Sequence, residues 1–319
     1  MLGICQKRYA SYNYKKGDIM NFERIFKTVG GYVWRLPLCA FAYVAGTMAG
    51  GALVSALGMK LPPIPEQADE KTMGLYLLIG SFVLAIGIVP LARTLRVKYP
   101  ARCLILAGLT YVCLGLNTPI ETAIFMKIGG MQTMVVFSIL PCLMFACITA
   151  LLFKPVGKGE SFSLHVSRFF SGRSSGEWAW RFVAAVCAFP VVYWTFGMMV
   201  APWVLEYYKQ GQFGLTLPST GVIILVQLLR SSLFFLAALP ILIVWSGSRR
   251  QLAVRLGVAF FILVGLFGMI QAYWLAPILK VLHNIEILAD SVVYAGVLAV
   301  LLVRKDGPEF AVSSKLAMV

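Results

Sequence analysis

Eight blocks of about twenty apolar residues, separated by short polar loops, constrain this chain more than any other feature. An α-helix rises about 1.5 Å per residue, so a block of that length crosses the roughly 30 Å hydrocarbon layer of a bilayer. The blocks read as 36–58, 73–92, 102–122, 131–153, 181–205, 220–245, 252–276 and 284–303. Of the 319 residues 60% are hydrophobic and 13% charged. A soluble domain carries about 25% charged residues, and no single aqueous core would take up so much apolar surface. The expected fold is an all-α integral membrane protein with eight transmembrane helices. Gly46, Gly87, Pro141, Pro190 and Pro240 fall inside the blocks, which lipid-embedded helices tolerate because their neighbours re-satisfy freed backbone groups. The least regular stretch, 117–130, reads as a loop or a partly re-entrant segment.

Basic residues fix an expected orientation. With the N-terminus inside, 22 of the 28 Lys and Arg fall on inner segments and five (Lys60, Lys71, Lys127, Lys209, Lys280) on outer loops, with Arg230 inside a span. Every inner segment outscores every outer one, as the positive-inside rule requires. Both termini and the 155–179 linker are therefore expected on the cytoplasmic face of the plasma membrane. Trp34, Trp180 and Trp245 fall at inner span ends and Trp203, Tyr208 and Trp274 at outer ends, the headgroup level that amphipathic rings prefer.

The net charge of +15 is spread over these loops. Its expected partner is a bilayer with anionic headgroups; no stretch is long enough for the soluble domain that nucleic-acid binding would need. Residues 1–30 contain no compact apolar stretch of the signal-peptide kind. Met20, followed by Asn21-Phe22-Glu23, reads as an alternative natural start.

The two halves look like copies. Trp34-Arg35 and Trp180-Arg181 open spans 1 and 5, Pro90 and Pro240 fall late in spans 2 and 6, and Arg102 and Arg255 open spans 3 and 7. These offsets all lie near 150 residues. Each half is preceded by a short amphipathic stretch (Phe22, Ile25, Phe26 and Val29; Phe162, Val166, Phe169 and Phe170) suited to the inner headgroup plane. Five segments result: an arm with an interfacial helix, 1–33; a first four-helix repeat, 34–154; a linker with an interfacial helix, 155–179; a second repeat, 180–304; and a tail, 305–319. Repeats with an even number of crossings are parallel, related by an axis along the membrane normal. In span 1 the stripe of Ala42, Gly46 and Gly50 reads as a helix-packing surface.

Polar residues within the spans gather toward the outer halves. Asn117 and Glu121 share a face of span 3, Gln227 and Arg230 lie three apart on span 6, and Gln271 is late in span 7. On span 8, His283, Glu286 and Asp290 fall at i, i+3 and i+7 within one arc. Ionisable groups at such depth are costly and mark paired or functional positions. Three readings compete. Arg230 and Asp290 form a static pair that pins two helices. The set lines an outward-facing cavity for a polar or anionic solute or a lipid headgroup, with Arg230 as anion anchor and a carboxylate as proton carrier. Or His283, Glu286 and Asp290 serve a membrane-embedded enzyme or metal site, against which stands a total of two histidines.

Nucleotide-binding glycine loops, serine-hydrolase elbows and zinc-protease motifs are absent from the sequence, and its seven cysteines form no C-x-x-C pair. No cofactor, metal or disulfide is expected, and the reading leans away from an enzyme. The leading function is a permease or carrier-like protein for a small polar or amphiphilic solute, with its site between the halves. The alternatives are an integral membrane enzyme acting on a lipid-linked substrate, and a non-transporting scaffold or sensor subunit.

Overall fold

The computed structural model describes residues 30–63, 68–126, 129–155 and 157–304. The expected interfacial stretch around 22–29 and the tail 305–319 lie outside the described residues. Eight helices among the described residues are long and apolar enough to cross a membrane: Gly30–Ala56, Glu70–Ala92, Tyr99–Phe125, Met131–Leu152, Ser175–Lys209, Thr220–Val244, Arg249–Gln271 and Pro277–Leu302, here spans 1 to 8. The chain divides into two units, Met1–Leu38 and Cys39–Val319. In the first, the Arg35 guanidinium lies 5.1 Å from the Trp34 ring centroid. The second holds most of span 1 and all of spans 2 to 8.

The stretch 117–130 is neither a loop nor re-entrant over most of its length. Span 3 continues as helix to Phe125 and turns into span 4 within a few residues. A π-helical segment, Tyr111–Asn117, leads into this stretch and is followed by Pro119. Proline has no N–H for the carbonyl four residues back, so the α-ladder cannot run through it unbroken. Thr118 Oγ1 donates to Cys113 O at 3.2 Å. Span 7 holds a second π segment, Ile262–Leu266, about 150 residues after the first. Such segments occur frequently at functional sites.

Close backbone approaches hold the spans together. A Cβ on Gly46 would stand 2.4 Å from Pro141 Cα, and one on Gly50 would stand 2.4 Å from Phe137 O. The small-residue stripe of span 1 therefore seats span 4, where Pro141 has freed the Phe137 carbonyl and the helix breaks at Ser138. Gly87 likewise admits Ile262 of span 7. Pro190 of span 5 frees the Val186 carbonyl, which accepts a hydrogen bond from Ser231 Oγ of span 6 at 2.6 Å. Span 2 packs on span 7, span 3 on spans 4 and 6, span 5 on spans 6 and 8, and span 7 on span 8.

Arginines cap the ends of two spans. Arg102 donates to Ala150 O at the end of span 4. At the end of span 8, Arg181 donates to Leu301 O, Arg173 to Leu302 O at 2.9 Å and Arg249 to Val303 O at 2.8 Å. Cationic donors satisfy orphan carbonyls and complement the negative pole of a helix. Phe162–Phe170 is a short helix, and its Phe169 and Phe170 pack on Trp178, with ring centroids 4.6 and 5.1 Å away. At the opposite end of the spans, Thr216 N donates to Phe125 O at 2.8 Å, tying the 5–6 loop to span 3. There Asp69 caps span 2, and the Thr72 hydrogen bonds hold its carboxyl below the usual range.

Candidate functional site

Arg230 is 3% exposed in the middle of span 6. Its Nε donates to Asn117 Oδ1 at 2.9 Å, its Nη1 to Gln227 Oε1 at 3.2 Å and its Nη2 to Glu121 Oε2 at 3.2 Å. Three of five guanidinium N–H groups are thus directed at side chains. Two acceptors, Asn117 and Glu121, come from the part of span 3 where the π segment ends. An extra residue per turn changes which side chains face a neighbouring helix, and here two acceptors one turn apart point at span 6. The Arg230 carbon Cζ also lies 5.9 Å from the Phe189 centroid and 5.8 Å from that of Phe234, within cation–π reach.

The expected Arg230–Asp290 pair is not the one that forms. Arg230 is ion-paired with Glu121. Span 3 packs directly on span 6, and Glu121 therefore reaches the guanidinium first. Asp290 is 5% exposed, and its Oδ1 has no hydrogen-bond partner among the described residues. On the same helix His283 Nδ1 lies 3.0 Å from Glu286 Oε2, and His283 Nε2 lies 3.2 Å from the Tyr208 hydroxyl. A Cβ on Gly197 would come within 3.3 Å of Glu286 Oε1, so glycine there makes room for the carboxylate.

These groups face a cavity of about 490 Å³. Glu121, Arg230, Gln271, His283, Glu286 and Asp290 all line it. Asn117 and Gln227 do not; each is wholly buried and bonded to Arg230, with its amide nitrogen unpartnered among the described residues. The cavity reaches from the level of Asp290 and Tyr294 to Pro62, Pro63, Leu215, Trp274 and Leu275 in the loops at one end of the spans. About a third of its lining residues are aromatic. Phe189, Phe234, Phe260 and Tyr294 touch in a chain, with ring centroids 5.0, 5.6 and 6.1 Å apart in that order, and Phe189 closes on Tyr294 at 5.2 Å.

Tyr193 and Tyr208 also line the cavity, and neither stands out from sequence as a site residue. Their signal is in span 5: Phe189, Tyr193, Gly197, Val204 and Tyr208 recur at helical spacing along one face. No group of three His, Cys, Asp or Glu side chains able to hold a metal ion exists among the described residues.

Volume, burial and polarity suit the cavity to a small molecule with an apolar body and one or two polar groups. No family model matches the chain, and no curated protein or solved structure matches it at a significant level.

Proposed function

We propose that this protein is a permease or carrier-like membrane protein that binds a small polar or amphiphilic solute in the cavity between its halves. One observation carries the reading. Ionisable groups from spans 3, 6 and 8, of which Arg230, Glu286 and Asp290 are buried, converge on one cavity that reaches the loops at one end. A strut needs only the Arg230–Glu121 pair. It gives no reason for His283, Glu286 and Asp290 to line the same space, where each costs desolvation.

The distribution of Lys and Arg turns that end outward in the plasma membrane and both termini inward. The two π segments about 150 residues apart, together with the packing of span 2 on 7 and of 6 on 3, support two parallel four-helix copies. An experimental structure in which residues 34–154 superpose on 180–304 by one rotation about the membrane normal would agree with this; a different helix order in the two halves would end it.

The transport reading is tested by flux. Proteoliposomes holding the full chain are to be screened by counterflow with radiolabelled amines, zwitterions, carboxylates and neutral polyols. One class should accumulate above empty liposomes, and Glu286→Gln together with Asp290→Asn should abolish it. If no class moves, the protein is no carrier for such solutes.

A further inference from the structure

We infer that the cavity takes an organic cation, an amine or quaternary ammonium group on an aromatic or branched aliphatic body, with Asp290 as its anionic anchor. The inference rests on the cavity being a ligand site and adds the charge and shape of the ligand.

Charge pairing leads there. The charged or imidazole side chains that line the cavity are Glu121, Arg230, His283, Glu286 and Asp290. Four of them pair off: Arg230 with Glu121 at 3.2 Å and His283 with Glu286 at 3.0 Å. Asp290 is left over, 5% exposed, facing the cavity with Oδ1 unpartnered. A buried acceptor without a donor is costly, and a buried charge without its opposite more so. A ligand N⁺–H or an ammonium group supplies what Asp290 lacks. An anion meets the reverse situation, with three carboxylates around the space and a single guanidinium already facing Glu121, Asn117 and Gln227. To bind there it would have to share that guanidinium with Glu121.

The walls agree with the charge. Phe189, Phe234, Phe260 and Tyr294 form a continuous aromatic surface beside Asp290. Ring faces attract cations, and do so more strongly when water is excluded. Two of these rings already lie within 6 Å of the Arg230 guanidinium carbon. A bare metal ion fits poorly, because three ligating side chains do not converge among the described residues. A bulky organic cation uses both the carboxylate and the rings, and about 490 Å³ accommodates one.

Two probes of the same shape and opposite charge decide between these: tetraphenylphosphonium and tetraphenylborate. Full-length protein in lipid nanodiscs is to be titrated with each by equilibrium dialysis, with empty nanodiscs subtracted. We expect saturable binding of the phosphonium and none of the borate. Asp290→Asn, checked for monodispersity by gel filtration, should weaken phosphonium binding at least tenfold. Phe234→Leu, which keeps apolar bulk and removes a ring, should weaken it several-fold and gives a second reading if Asp290→Asn does not fold. Preferential or equal binding of the borate overturns the inference. So does phosphonium binding that survives both substitutions, or saturable binding of neither probe. Binding without flux in proteoliposomes would leave the cation site standing and remove the carrier.

Discussion

Glu121 and Arg230 are 109 residues apart and meet across spans 3 and 6 at 3.2 Å. The guanidinium is almost wholly buried, while the Glu121 side chain, which lines the cavity, keeps 35% of its surface open. That asymmetry sets what each substitution should do. Arg230→Ala strands Asn117 and Gln227 as well as a carboxylate, and breaking a buried pair from one side costs about 3 kcal/mol or more. Glu121→Ala should cost less, because its side of the pair is partly exposed and Arg230 keeps two acceptors. The double change should fall short of the sum of the two, since one loss is counted in both. Unfolding in mild detergent, monitored by tryptophan fluorescence, gives all three values.

Span 1 should reject bulk where it crosses span 4. A Cβ on Gly46 would collide with the Pro141 backbone, whereas one on Gly108 would have nothing within 4 Å. Gly46→Ala should therefore lower the melting temperature and reduce the folded yield. Gly108→Ala should hold or raise stability, by up to about 1 kcal/mol, from helix propensity alone. Thermal shift on the purified variants separates the two.

The topology expected from the basic loops is open to chemical labelling. In a cysteine-free background, single cysteines in 60–72 and 206–219 should react with a membrane-impermeant maleimide added outside intact cells. A cysteine at Lys158 should react only after permeabilisation. Labelling of Lys158→Cys from outside would invert the proposed orientation.

The helices are legible in the sequence because hydrocarbon thickness sets their length. The spans read from apolar blocks overlap all eight observed helices, and most differences lie at the ends. The largest is span 5, whose helix, Ser175–Lys209, runs about 52 Å at the standard rise. Apolarity stops short of its ends, but the Ser174 cap and the Glu177–Arg181 ion pair extend it at its start. The polar set is legible for the same reason, since charges in apolar blocks stand out. The pairing is not. The sequence offers Asp290 as a partner for Arg230, but which neighbour reaches it depends on helix order and on the π segment that presents Asn117 and Glu121. Periodicity at 3.6 residues per turn cannot reveal a local change of that period. The aromatic walls are hidden by their abundance, because Phe is as suited to lipid contact as to a cavity.

A carrier must open its cavity to each side of the membrane in turn, and one residue tests that directly. Ser291 lines the cavity beside Asp290 and is 5% exposed. Ser291→Cys in the cysteine-free background is to be treated with an impermeant methanethiosulfonate, in right-side-out and in inverted vesicles. A carrier predicts modification in both preparations, because the cavity must open alternately to each face. Modification in one preparation alone would mean a one-sided binding or sensor protein. No modification in either, with the protein folded, would mean a sealed interior in which Arg230 and Glu121 are only a strut.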